Sequence, residues 1–395
     1  MSAPARTVDI AERRARMGVR HRLHPALRAT SVAEVARDLT AVHSTDPASV
    51  YLAFRARLSN TDPPSIERAL YDDREIVRTL GMRRTLFVVP RDFVAVVQAA
   101  ASNAIAARER IRLLGMLAAA ELPGAHDAWL REIEDETERA VAARGGVFAA
   151  DLSRDDARLG QRIVLARGKR YEAEVSVVTR VLLLLGMQGR VIRGRPRGTW
   201  ISSQYRWSTP TAWLGAPIPT LPRDDAQHAL VERWLRSFGP GTLRDIQWWT
   251  GWTVAETKRA LAATGAIEVD LEGRIGFLLA DDVEPEPDPG PWIALLPALD
   301  STPMGWTERD WFLGPHRAAL FDTNGNVGPT IWSDGRLVGG WAQRSDGEIA
   351  FRVLEDIGSD AMVAVEAEAE RLSTWIGDMR FTPRFRTPLE RELRG

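Results

Sequence analysis

The sequence predicts an α+β chain in which three tandem winged-helix units precede a small C-terminal β-barrel or β-meander. Three observations carry this expectation. Stretches with apolar residues at three- and four-residue spacing are closed by paired β-type runs, and the pattern recurs at intervals of about 100 residues without obvious identity between copies. The clearest copy, Thr242 to Leu261, has a capped first helix, a glycine turn at Gly251 and a second helix opened by a Thr253/Glu256 capping box. Beyond residue 292 the period changes, and Asn324-Gly325, Asp334-Gly335 and Asp346-Gly347 follow at about 12-residue spacing; such pairs favour tight hairpins because both residues tolerate positive φ. The expected units are residues 1–115, 116–220 and 221–280, an acidic proline-rich linker at 281–291, and the β-rich unit at 292–395. Each unit is large enough to bury its own core.

In order along the chain, residues 7–22 read as an amphipathic helix with arginines outward, followed by helices at 31–42, 48–58 and about 64–72. Two β-type runs, Ile76 to Leu80 and Thr85 to Val89, are joined by Gly81-Met82-Arg83-Arg84, a basic hairpin in the position of a wing. A long helix opens at Pro90 and runs through Arg112, and Leu113 to Gly124 reads as a break. The second unit starts at His126 with a charged helix (127–144), an element around 156–165 and an apolar helix (173–186). Its hairpin, Gly189 to Ser203, has strand-like runs on either side of Arg193-Gly194-Arg195-Pro196-Arg197-Gly198. After the third unit's hairpin (267–271 and 274–279), strand-like runs are expected at 292–296, 318–321, 327–332, 337–341 and 349–354, then a helix at 359–376 and a last strand at 380–384.

The polar stretch from Leu39 to Pro47 breaks this regularity. Ser31 and Glu34 form a capping box, and Val32, Val35, Ala36, Leu39 and Val42 share one helical face, which ends at His43. Asp46-Pro47 signals a turn, since a residue before proline leaves the helical region. His43 and Thr45 are therefore expected in an elbow between two packed helices. Two readings stand: His43 as a helix C-cap with Thr45 or Asp46 capping the next helix, or a polar elbow that does chemistry.

Charge and composition narrow the function classes. The chain has no cysteine, which removes disulfides and thiolate metal sites and fits a reducing cytoplasm. The longest apolar run, Val181 to Leu185, is far too short to span a bilayer, and the N-terminus lacks a signal-peptide core. The net charge of −1 hides an uneven distribution: residues 1–115 hold 19 arginines against 12 acidic residues, and 177–215 hold 6 arginines and no acid. Lys169 and Lys258 are the only lysines. Local arginine-rich faces suit phosphate binding, which acts within a Debye length. Arg83 and Arg84 read equally as a solvated turn or a phosphate contact. The five arginines from Arg190 to Arg206, with no acidic neighbour in sequence, favour phosphate or groove contact. Trp200, Tyr205 and Trp207 are expected in the core, and the third unit's second helix, with only Lys258 and Arg259, reads as a packing module. The six histidines never pair at ligand spacing, His21 and His24 are taken as surface residues, and no P-loop, nucleophile elbow or dinucleotide fingerprint occurs. No metal and no cofactor are expected, and no heptad calls for an oligomer.

Several motifs carry a family resemblance. The elbow, the following Tyr51 to Arg57, the hairpin Val77 to Pro90, Arg193 to Trp200, Phe238-Gly239-Pro240 with Trp248 to Gly251, Leu295 to Asp300 and Val338 to Trp341 together resemble the AlkZ-like DNA glycosylases of the winged-helix DNA-binding-domain family. The resemblance implies three winged helices and a β-barrel around double-stranded DNA with alkylated bases, and excision of bulky or crosslinked N7-alkylguanine. The family's elbow carries Gln-x-Gln, or Gln-x-Asp in the YcaQ-like branch, to hold the hydrolytic water; His43 and Thr45 occupy those positions, and Phe87 stands where the hairpin strand usually has histidine. The resemblance thus casts His43 as acceptor of the water's proton, with an ordinary pKa of about 6.5, Thr45 as its orienting hydroxyl, and Asp46 as a cap or a stabiliser of the sugar cation. The expected DNA contacts are Arg55, Arg57, Arg78, Arg83, Arg84, Arg190, Arg193, Arg195, Arg197 and Arg206. The alternative is a DNA-binding or regulatory relative that recognises distorted duplex without cutting, since such folds bind more often than they catalyse.

Overall fold

A computed structural model describes residues 4–395 except 121, 123–125, 166–167 and 169–171. It mixes helices with small antiparallel sheets. The Ser31 hydroxyl accepts from Glu34 N at 3.2 Å and opens the helix Val32–Asp38. That helix stops four residues before the expected end, because Thr40 adopts a φ of 60° and its hydroxyl is anchored 3.0 Å from the Arg233 carbonyl oxygen. The chain then extends, so Val42–His43 forms a short strand instead of the helix's last turn. Helices Pro47–Arg55 and Pro63–Glu67, the latter continued by a wide turn at Arg68–Asp72, lead to the hairpin Ile76–Gly81 and Thr85–Pro90. Strand Thr85–Pro90 lies between Val42–His43 and Ile76–Gly81.

Helix, short strand, helices and hairpin recur in this order. Asp127–Ala143, Val147–Phe148, Ala149–Asp155 and Val177–Met187 precede the hairpin Ile192–Pro196 and Tyr205–Ser208, whose second strand again pairs with the short one. Further along, Arg223–Phe238, Leu243–Thr250 and Val254–Ala263 precede Ile267–Asp270 and Ile275–Leu278, with a single bridge from Gly241 to Phe277 where the short strand would lie. Capping boxes at Thr242/Asp245 and Thr253/Glu256 start the last two helices, and Gly251 ends the first of them at a φ of 74°.

Several expected elements shift, each for a local reason. Helix Asn103–Ala119 runs through the expected break because Leu113 and Leu117 are buried. Ala173–Ser176 is a strand paired with Arg162–Leu165, not the first turn of a helix. The basic hairpin's second strand starts only at Tyr205, since Trp200 is drawn into the core against Tyr51, 5.1 Å between centroids. Trp200, Tyr205 and Trp207 are all buried, as expected.

The C-terminal strands Ile293–Leu296, Thr330–Ser333, Arg336–Gln343 and Ile349–Val353 form an open antiparallel sheet in sequence order. Asp334-Gly335 makes a two-residue hairpin with both φ values positive. Residues 318–321 were expected as strand but fall largely in a short helix, Arg317–Leu320, and 380–384 has no regular structure; the four strands do not close into a barrel. Helix Ser359–Ile376 packs on the first strand and Pro388–Arg394 on the third.

The units do not keep separate cores: one apolar cluster runs from Met17 to Leu393 and a second from Ala29 to Ile376. Charge crosses between units as well. The arginine surplus of residues 1–115 is largely spent inside the protein: Arg16 and Arg20 reach Asp282 at 3.2 and 2.7 Å, Arg55 pairs with Glu368, and Arg57 clamps Asp300. The acidic linker is therefore strapped down, with its Val283 and Glu284 carbonyl oxygens each 2.6 Å from arginine donors. His21, expected at the surface, is fully buried between the Thr302 hydroxyl (2.8 Å) and the Ser237 carbonyl (3.1 Å). Burial, reinforced by the Arg57 charge, lowers its pKa to about 3.

Two stability predictions follow from these buried groups. Arg57→Met strands the Asp300 carboxylate and should cost about 3–5 kcal/mol in urea denaturation, with much of the loss recovered in the Arg57→Met/Asp300→Leu double variant; equal losses in the two would contradict this. Because His21 is neutral when folded but titrates near 6.5 when unfolded, its contribution is complete above that pH and fades as pH falls towards 3. Between those values the wild type should lose about 1.4 kcal/mol per pH unit more than His21→Gln; parallel pH profiles would refute the buried neutral state.

Candidate active site

Side chains alternate along a strand, so making residues 42–43 extended decides which way the elbow faces. Val42 pairs with Val88 and His43 with Phe87, and Ser44 N continues the ladder to the Leu86 carbonyl at 2.8 Å. His43 and Thr45 line one side. Ser44 and Asp46 point to the other, where the Ser44 hydroxyl accepts from Arg78 Nε at 3.0 Å. Asp46 caps helix Pro47–Arg55 through Ala48 N (3.1 Å) and holds Arg384 N (2.9 Å). Both carboxylate oxygens are thus engaged away from His43, and the expected stabilising role for Asp46 has no geometric basis; burial raises its pKa despite these bonds.

His43 and Thr45 open onto a cleft of about 390 Å³ that Arg83, Trp248, Arg309 and Arg317 also line, with no Asp or Glu among its lining residues. The His43 ring is 8% exposed, packs edge-on against Phe87 at 5.3 Å, and leaves Nδ1 with no hydrogen-bond partner in the protein. Burial, helped by the Arg83 charge, lowers its pKa to about 3, against the ordinary value expected from sequence. The imidazole is therefore neutral at physiological pH and weakly basic, with a ring nitrogen left unpartnered in the protein. Thr45 is half-buried beside it.

Arg83 and Arg84 form the hairpin tip, both at positive φ (54° and 62°). This bend lays the Arg83 guanidinium over Trp248, 4.0 Å from the ring centre. Gly251 makes room for it, because a β-carbon there would meet Arg83 Cγ at 3.0 Å. Arg309 is buried, donates from Nε to the Trp306 carbonyl at 2.7 Å, and lies 4.9 Å from Trp248 and 5.1 Å from Phe321. Burial lowers both arginines to about 10. A larger groove of about 760 Å³ lies between Gln98 and Leu221, and it contains neither His43 nor Thr45.

The other arginines expected on DNA divide sharply. Arg57 is sealed on Asp300 at 2.7 Å with no exposure, Arg55 is buried on Glu368, and Arg78 is buried between Ser44 and Tyr71. None of the three reaches a surface that DNA can touch. Arg193 is packed against Tyr205 and Trp207, where burial lowers its pKa to about 10. Arg190 pairs with Asp135 at 2.6 Å, and Arg195 with Asp72 at 2.8 Å and Glu67 at 3.1 Å, so acids distant in sequence relieve the repulsion that made this hairpin look unpaired. Arg84 is exposed and 3.1 Å from Glu109. Arg197, over Phe148, and Arg206 are exposed. Sequence reasoning missed Arg309 and Arg317, which lie between strands where no periodicity singles out a residue, and it read Trp248 only as part of a motif. The available signal was the dense aromatic run from Trp306 to Phe312 interrupted by Arg309.

Among the described residues, no group of three or more His, Asp or Glu side chains is arranged to hold a metal ion. No helix of the described residues is long and apolar enough to cross a membrane.

The chain is 28% identical over 271 residues, 64% of its length and 69% of the relative's, to the interstrand DNA cross-link repair glycosylase of Streptomyces sahachiroi. It superposes on the structure of Streptomyces sahachiroi DNA glycosylase AlkZ with a TM-score of 0.71 at 21% identity, covering 93% of this chain and 97% of that one. The model of the family described as DNA glycosylase AlkZ-like matches residues 36–375, from the helix before the elbow to the end of the helix that covers the C-terminal sheet, and the chain belongs to that family.

Proposed function

We propose that this protein hydrolyses the N-glycosidic bond of a bulky or crosslinked N7-alkylguanine in duplex DNA, with the water held by His43 and Thr45. The observation that carries the reading is that these two side chains, alone of residues 43–46, line a cleft rich in arginine and free of carboxylates. The thrice-repeated order of helix, short strand, helices and hairpin is read as three winged-helix units over residues 1–115, 116–220 and 221–280, followed by the C-terminal sheet, whose flanking segments line the cleft through Arg309, Arg317 and Phe385. Exposed Arg197 and Arg206 remain as phosphate contacts on the outer surface, and exposed Arg84 as one beside Arg83 in the cleft lining.

An N7-alkylated guanine is cationic and departs as a neutral base, taking the electrons of its bond to the sugar. The water oxygen then bonds to the anomeric carbon and sheds its proton to solvent. No strong acid is needed, and the protein's task is to orient one water at a developing sugar cation. A neutral imidazole and a hydroxyl suit that task. A second reading, in which the chain binds distorted duplex without cleaving it, rests on His43 and Thr45 standing where the family has Gln-x-Gln.

Incubation with a duplex containing one bulky N7-alkylguanine, followed by cleavage at abasic sites, separates the readings. Wild type should form abasic product, and His43→Ala and Thr45→Val should each slow it by about 100-fold while leaving DNA affinity little changed. Tight binding without product would support the second reading. Since His43 does not titrate near neutrality, the single-turnover rate should stay flat between about pH 6 and 9; an inflection near 6.5 that disappears in His43→Gln would contradict the neutral-imidazole mechanism.

A further inference from the structure

The arginine cleft poses an electrostatic problem for the reaction proposed above. Arg83, Arg309 and Arg317 are close enough that the latter's charge and that of Arg83 both disfavour the cation on Arg309, and Arg83 likewise disfavours a cation on His43. Two of the three have lost much of their hydration: Arg309 is 4% exposed, and Arg83 Nε is buried without a partner. Among the described residues neither forms an ion pair, in contrast to buried Arg16, Arg55 and Arg57, which have each found a carboxylate. The Asp245 carboxylate offsets part of this repulsion on Arg309, yet gathering desolvated like charges costs stability, and a cluster without an ion pair of its own in a cleft marks a place where an anion arrives. A cationic base or a sugar cation would be repelled there.

We infer that Arg83 and Arg309, held against Trp248, form a subsite for the DNA phosphodiester next to the nucleotide whose sugar faces His43 and Thr45. The inference rests on DNA being what enters the cleft, but not on base excision. The aromatic walls fix both guanidiniums: Arg83 by Trp248 at 4.0 Å, Arg309 by Trp248 and Phe321 and by its bond to the Trp306 carbonyl. Such preorganised forks suit phosphate oxygens. A phosphate bound here neutralises the cleft when the cationic lesion is drawn in, so recognition of the backbone and tolerance of the positive base become one event. Arg317, exposed and 5.3 Å from the Phe321 ring centre, adds attraction.

The test uses fluorescence anisotropy with a labelled duplex carrying one tetrahydrofuran abasic analogue, so that no bond has to be broken. The two phosphates flanking the abasic sugar are replaced, in a second duplex, by neutral methylphosphonates. For wild type the replacement should weaken binding about tenfold, and the same replacement five or more nucleotides away should have little effect. Arg309→Gln should weaken binding to the unmodified duplex about threefold, flatten the slope of log affinity against log salt by about one, and lose less than wild type on the methylphosphonate duplex; Arg309→Lys should recover part of the affinity. Losses that multiply between variant and methylphosphonate, or an Arg309→Gln protein that binds like wild type, would overturn the subsite. Should Arg309→Gln not fold, equal or absent effects of flanking and distant methylphosphonates on wild type would overturn it alone. The same preparation tested on alkylated duplex without excision would remove the glycosylase reading and leave this result standing.

Discussion

The short ladder between Val42–Ser44 and the strand Thr85–Pro90 is the constraint on which the site depends. Were residues 39–43 to continue as helix, His43 and Thr45 would point about 200° apart instead of sharing one side. The ladder makes the segment extended, and strand alternation then turns His43 and Thr45 to the cleft while Ser44 and Asp46 lock the reverse side to Arg78 and Arg384. A one-residue slip would exchange the two pairs, which is why the reverse-side bonds matter as much as the groups that face the cleft.

A second constraint is electrostatic and works across units. Several arginines of the N-terminal part are neutralised by acids hundreds of residues away: Arg16 by Asp282, Arg57 by Asp300, Arg55 by Glu368. These pairs tie the N-terminal half to the linker and the C-terminal sheet, and shared apolar clusters complete the joint. Arg83, Arg309 and Arg317, by contrast, have no carboxylate partner among the described residues and line the cleft where His43 lies. The cleft itself is composite, with Arg83 from a hairpin, Trp248 from a helix of the third repeat, and Arg309 and Arg317 from the C-terminal part.

Local signals in the sequence foretold much of this architecture, because caps and turns act through a few neighbouring residues. The Thr242 and Thr253 capping boxes and the Asp334-Gly335 hairpin appear where their chemistry demands. The elbow was recognisable as special, and its partner residues were not, since Arg309 and Arg317 meet His43 only through the packing of distant segments. The same non-local packing defeated the reading of Arg57 as a DNA contact and of His21 as a surface residue: neither Asp300 nor Thr302 announces itself as their partner. Helical periodicity through Val42 misled because an apolar residue fits a buried strand as well as a buried helix.

The absence of cysteine from the chain allows a direct measurement of which side chains meet the target nucleotide. Single cysteines placed at residues 43 to 46 in turn, mixed with duplex DNA carrying a disulfide-activated thiol tethered at the anomeric carbon of one nucleotide, report proximity as a covalent adduct. The account predicts rapid trapping by His43→Cys and Thr45→Cys, and little by Ser44→Cys or Asp46→Cys. Trapping without that alternation, or at residues 44 and 46 alone, would contradict it.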